Sequence, residues 1–230
     1  MRFLKQFREL TRFELCLWLA SICVVLVSFF AFGSTDYLTL TSSLVGVTAL
    51  IFLAKGMIMG QILVIIFAAL YGAVSFFFSY YGEVITYLGM TAPSALAALI
   101  AWIKHPYKDS SRVEVVPKVR KREWAIISVL TVVVTVAFYF LLKALGTANL
   151  EVSTASIATS FFASMLMVYR SPYYAVAYAV NDIVLIVLWL LASLEDASCV
   201  PMVACFIMFF FNDIYGFVNW QRMKREQKNA

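Results

Sequence analysis

Apolar residues along this chain fall in long runs broken by short polar stretches. A bilayer core of about 30 Å is spanned by roughly 17–25 residues of helix, and backbone groups in lipid must bond within their own segment. Each long run is therefore predicted to be a membrane-spanning helix. Eight are expected: 15–32, 39–54, 58–80, 84–103, 124–145, 152–168, 173–193 and 198–219. The second and sixth are short and carry Ser and Thr, so they are expected to be partly shielded by neighbouring helices.

Composition agrees with lipid as the solvent. Hydrophobic residues make up 63% of the chain and charged residues 13%, against roughly 45–50% and about 25% in soluble domains. The formal net charge of +5 could suggest nucleic acid as a partner, but its distribution argues for topology instead. With the N-terminus inside, the inner segments hold Arg2, Lys5, Arg8 and Arg12, then Lys55. They continue with Lys104, Lys108, Arg112, Lys118, Arg120, Lys121 and Arg122, then Arg170, and finally Arg222, Lys224, Arg225 and Lys228. Lys143 alone falls at an outer end, while Asp36, Glu83, Glu151, Glu195 and Asp196 lie outside. This is the positive-inside pattern, and removing one helix would invert everything after it. The first run is long for a signal-peptide core and lacks a small-x-small cleavage site, so it is read as a retained helix. Cys16, Cys23, Cys199 and Cys205 sit in apolar runs without Cys-X-X-Cys spacing and read as packing residues. With His105 the single histidine, a histidine metal site or triad is not expected, and no metal or cofactor is implied.

Segments two to four and six to eight read as copies of one unit. Lys55 follows the first short helix of one copy, Tyr81-Gly82-Glu83 forms its acidic turn, and Trp102 with Lys104 closes it. In the other copy these places are taken by Arg170, Leu194-Glu195-Asp196, and Trp220 with Arg222. Basic residue and Trp are 47 positions apart in one copy and 50 in the other. Each unit crosses three times, so the single helix 124–145 must return the chain and both units run in the same direction. The expected fold is all-α and membrane-integral: an N-terminal helix plus a 3+1+3 parallel repeat, as in sugar transporters of the SWEET class. The organisation follows as 1–38 for the N-terminus and extra helix, 39–103 for the first repeat and 104–123 for a basic cytosolic linker. Residues 124–150 form the linker helix, 151–220 the second repeat and 221–230 a basic tail. Such a repeat places a substrate site near the midplane between the units.

Polar residues at membrane depth are expensive and mark function or interhelical bonding. Asp182 lies beside Asn181 near the middle of the seventh run, and Asp213 beside Asn212 in the eighth. These pairs either clamp the two helices together or line a polar path. Tyr174 and Tyr178 share the face of Asp182 and suit a flat heterocycle joined to a sugar; an interfacial position competes for Tyr174. Thr91 precedes Pro93, which should kink the fourth helix. Ser153, Ser156, Ser160 and Ser164 form a stripe with Thr159 alongside. Close helix packing is one role for that stripe, and substrate contact by Ser160 and Ser164 is the other. No phosphate-cradling loop, His-Glu-x-x-His helix or nucleophile elbow is present in the sequence, so an enzyme is not expected.

The tracts Tyr80-Tyr81-Gly82-Glu83, Met90-Thr91-Ala92-Pro93 to Trp102, and Ala163-Ser164-Met165-Leu166 before Arg170 resemble one known family. So do Tyr178 to Trp189 and Asn212-Asp213-Ile214-Tyr215-Gly216-Phe217-Val218-Asn219-Trp220. The family is the PnuC-type vitamin transporters, and the resemblance spans roughly residues 40–225. The charge pattern puts both termini in the cytoplasm, and the resemblance implies a bacterial inner-membrane protein of 3+1+3 fold with a preceding helix, a homotrimer, and uptake of nicotinamide riboside by facilitated diffusion with trapping by a cytosolic kinase. Tyrosines at 173, 174 and 178 stand where many members have an Asn-Trp-x-x-Trp tract, and Ser164 where many carry Gln. These departures leave thiamine and riboflavin open as alternative cargoes. A membrane-embedded enzyme or sensor is the reading from a different class. It would need a catalytic pair or an output module, and the sequence displays neither.

Overall fold

The computed structural model describes residues 6–33, 35–77, 81–108, 110–116, 118–147 and 149–229, without the side chains of 81, 82 and 198. Arg2, Lys5, Tyr80 and Pro117 lie outside the described residues. Among the described residues, eight helices are long and apolar enough to cross a membrane. They are α1 (Arg12–Ala31), α2 (Tyr37–Ala54) and α3 (Ile58–Phe77). A fourth span, α4, is assembled from Tyr81–Ile85, a π-helical Thr86–Thr91 and Ala92–Lys104. Then come α5 (Lys121–Ala144), α6 (Leu150–Val168), α7 (Tyr173–Glu195) and, after a 3-10 turn at Ala197–Cys199, α8 (Val200–Asn229).

Helix starts follow local chemistry. Thr11 and Glu14 form a reciprocal capping box at the start of α1, and the Asp36 carboxylate accepts from the backbone of Leu38 and Thr39 at the start of α2. These side chains occupy backbone donors that have no partner inside the helix. Pro93 acts on α4 as its ring demands. Lacking an N–H and crowding the preceding turn, it sits at the start of Ala92–Lys104, and the turn before it widens to π. The last helix exceeds its expected span, remaining helical to Asn229. The basic tail therefore continues α8.

Two helix ends share one geometry. At the end of α2, Gly56 N–H donates to Leu53 O (2.8 Å) and Met57 N–H to Phe52 O (2.9 Å). At the end of α6, Arg170 N–H donates to Met167 O (2.9 Å) and Ser171 N–H to Leu166 O (3.0 Å). Both are Schellman motifs, with Gly56 at φ 69° and Arg170 at φ 57° in the left-handed position. The helix ends thus align Gly56 with Arg170, one residue away from the sequence pairing of Lys55 with Arg170.

The basic segments gather at one end of the bundle. Val113 N–H bonds Gly56 O and Val116 N–H bonds Arg170 O, while the Gln227 side chain brackets the strap by bonding Val115 N–H and Val113 O. Val113, Val115 and Val119 are buried, so this part of the segment read as a linker packs as a strap across this end. In the bundle, α8 packs on α7, α2 and α1, α3 on α2 and α4, and α6 on α7, α5 and α4. α5 packs chiefly on α6 and stays largely exposed, burying Ile127 and Leu142, as a lipid-facing helix does.

Candidate functional site

A cavity lies at the centre of the bundle, with ≈ 90 Å³ open to the centres of water-sized molecules. Its polar wall comes from α7 and α8 through Tyr178, Asn181, Asp182 and Asp213, from α6 through Ser160 and Ser164, and from α4 through Thr91 and Ser94. α3 adds Gln61. Gly46, Leu50 and Leu53 of α2 with Val64 and Phe67 of α3 form an apolar wall.

The polar wall is largely held by its own bonds. Ser164 Oγ donates to Ser160 O (2.7 Å) and lies 2.9 Å from Tyr178 Oη. The serine proton is thereby committed, so the phenol donates to the serine. Thr159 Oγ1 donates to Asn181 Oδ1 (2.8 Å). The carboxyls of Asp182 and Asp213 face one another within hydrogen-bonding reach. Both residues are buried, at 2% and 5% exposure, and Asp182 Oδ2 has no protein partner. Gln61 is fully buried, with Nε2 2.8 Å from the Met167 thioether and no partner for Oε1.

The sequence-derived candidates divide accordingly. Thr91, Ser160, Ser164, Tyr178, Asn181, Asp182 and Asp213 surround the cavity. Asn212 does not: successive helical residues project about 100° apart, so with Asp213 turned inward Asn212 meets α1. There it donates to Ser21 Oγ (2.9 Å) and Met208 O (2.7 Å). Tyr174 lies below the cavity, donating to Leu53 O (3.1 Å) and packing edge-on against Trp220 at 4.8 Å. Gln61 was missed by the sequence reading. Its signal was a single carboxamide in an otherwise apolar run, a costly group in a membrane helix unless it is bonded.

Aromatic layers lie at both ends of the cavity. At the basic end, Trp220 Nε1 donates to Leu53 O (2.9 Å) and Trp102 Nε1 to Met167 O (3.2 Å), with the two rings 5.5 Å apart. Leu53 and Met167 occupy the same Schellman position in α2 and α6, and both line the cavity floor. Each indole bonds a helix-end carbonyl across the bundle, and Leu53 O also accepts from Gly56 N–H and Tyr174 Oη. At the opposite end Phe67, Tyr87, Phe206 and Phe209 line the cavity. Tyr71 stacks behind Tyr87 at 4.3 Å, and Trp189 lies 6.2 Å from Tyr71.

Sequence comparison places this arrangement. The model of the nicotinamide mononucleotide transporter family matches residues 36–222. The chain belongs to that family. It is a multi-pass membrane protein of a bacterial transporter family and not an enzyme. Two relatives are named nicotinamide riboside transporter PnuC. The one from Neisseria mucosa is 26% identical over 217 residues, covering 93% of this chain and 82% of the relative. The one from Haemophilus influenzae is 23% identical over 207 residues, covering 90% and 88%. A crystal structure of the vitamin B3 transporter PnuC superposes with a TM-score of 0.81 at 25% identity. That match covers 95% of this chain and 94% of the other.

Proposed function

We propose that this chain takes up nicotinamide riboside across the bacterial inner membrane by facilitated diffusion. The observation that carries the reading is the central cavity, polar on one wall and apolar on the other, with aromatic layers at both ends. A nucleoside matches those walls. Its hydroxyls bond carboxyl groups such as Asp182, and its flat ring lies against Tyr178 and the apolar side chains. Charge separates the riboside from the mononucleotide. Among the described residues no Lys or Arg lines the cavity and two Asp do, so a phosphate would enter without a counter-charge and against two carboxyls, which costs several kcal/mol or more. The pyridinium cation of the riboside is electrostatically compatible with the same groups.

Alternating access follows from two parallel units, 39–103 and 151–220, rocking about the site. Matching helix ends and the reciprocal indole bonds support that division. The positive-inside rule puts the basic end and both termini in the cytoplasm. Family resemblance adds a homotrimer and trapping of the substrate by a cytosolic kinase. Purified protein in liposomes tests the function. Labelled nicotinamide riboside should exchange saturably without an ion gradient. Exchange of thiamine or riboflavin instead would reassign the cargo, and exchange of none of the three would end the transport reading.

A further inference from the structure

We propose that Gln61 determines specificity by pairing with the carboxamide of the transported molecule, so that amides are accepted and the corresponding acids rejected. This rests on the nicotinamide riboside reading and assigns one end of that ligand. Among the cavity-lining side chains, two buried oxygens lack a protein partner: Asp182 Oδ2 and Gln61 Oε1. They differ in surroundings. Asp182 stands among hydroxyl and amide groups near the middle of α7. Gln61 sits one turn into α3 at the cavity floor, beside Leu53, Val64 and Met167.

The Gln61 carboxamide is under-bonded whichever way it is turned. One end meets a thioether, a weak acceptor, at 2.8 Å, and the other meets no protein group. A buried polar group left in that state is unfavourable until a ligand satisfies it. The complement of a carboxamide, with one donor edge and one acceptor edge in a plane, is another carboxamide. The apolar neighbours suit the flat ring that bears it, and the polarizable Met167 sulfur suits an aromatic face. A carboxylate in the same place offers Oε1 no donor. It also brings an anion to a cavity with no lining Lys or Arg among the described residues and with Asp182 and Asp213 facing in. Sites built to hydrogen-bond one group reject analogues that leave buried groups unpaired, and they do so far more strongly than sites that discriminate by size.

The test compares nicotinamide riboside with nicotinic acid riboside on purified full-length protein, by calorimetry. Wild type should bind the amide at least about ten times tighter than the acid. Gln61→Met keeps the length and apolar bulk of the side chain and removes both edges. It should weaken amide binding about 10- to 100-fold while leaving acid binding low, so the ratio collapses. Gln61→Asn keeps the chemistry with a shorter reach and should retain part of the preference. The ratio is read on folded protein, so yield does not affect it. Wild type binding both ribosides equally, or Gln61→Met keeping the wild-type ratio, would overturn the assignment to Gln61 alone. Wild type binding neither riboside would overturn the nicotinamide riboside reading, and this assignment with it.

Discussion

Two adjacent residues on α8 face different surroundings. Asp213 faces the cavity and the Asp182 carboxyl, while Asn212 turns to α1 and bonds Ser21. Asp182 Oδ2 has no protein partner, which leaves it free for a ligand hydroxyl. Leaving a buried hydrogen-bonding group without its partner costs about 1–3 kcal/mol, so Asp182→Asn should weaken substrate binding about 5- to 150-fold. Its melting temperature should stay near wild type, because the amide fills the same space. Unchanged affinity with a large fall in melting temperature would make Asp182 a clamp between α7 and α8. Asn212→Leu should behave oppositely. It removes neutral bonds to Ser21 and Met208, at about 0.5–1.5 kcal/mol each, and should leave substrate affinity within about twofold of wild type, as titration calorimetry can measure. A tenfold loss would place Asn212 in the site.

Among the elements, α1 is fastened both to the α2–α3 turn and to α8. Glu14 pairs with Lys55 at 2.7 Å, each residue 2% exposed. Tyr215 Oη donates to Glu14 Oε1 (2.8 Å), and Lys55 Nζ also donates to Glu9 O. One buried network thus ties α1 to the α2–α3 turn and to α8. Trp18 Nε1 adds a bond to Thr48 Oγ1 (3.1 Å) on α2. Removing one partner of a buried ion pair costs about 3–5 kcal/mol, because the other charge is stranded, whereas removing both is far less costly. Lys55→Met should therefore lower the melting temperature in detergent sharply, and Glu14→Gln with Lys55→Met should recover most of the loss. Equal melting temperatures for the single and double variants would show that the pair does not hold α1.

For the whole molecule, we propose the layer beneath the cavity as the inner gate of the transport cycle. Trp102 and Trp220 each cross to a helix end of the other unit, and Tyr174 joins Trp220 on Leu53 O. Opening toward the basic end must break these bonds. Each neutral bond is worth about 0.5–1.5 kcal/mol, so Trp220→Phe should shift the closed-to-open balance about 2- to 12-fold toward open. A cysteine placed at Thr91, in a background with Cys16, Cys23, Cys199 and Cys205 replaced, should be labelled correspondingly faster from the cytosolic side in inverted vesicles. An unchanged rate would remove the indole bonds from the gate. In intact cells, the 104–123 strap should resist labelling from outside. Reaction there would reverse the proposed orientation.

Whatever depended on the length of apolar stretches was legible in the sequence. Lipid cannot satisfy backbone groups, so apolar runs of sufficient length must be helices, and the eight expected spans match the helices to within a few residues except where α8 runs on to Asn229. Buried acids stand out in apolar sequence for the same energetic reason, which is how Asp182 and Asp213 were found. Direction was not legible. Adjacent polar residues project about 100° apart on a helix, and only the packing of α8 against α1 decided that Asn212 turns away while Asp213 turns in. The apolar wall was hidden too, since Leu50, Phe67 and Phe209 look like any lipid-facing residue until α2, α3 and α8 converge around the cavity. Trp102 and Trp220 were readable as a repeated ending. Their exchange of bonds with Met167 and Leu53 belongs to tertiary structure, because a helix-end carbonyl takes its spare bond from whichever donor the fold brings beside it.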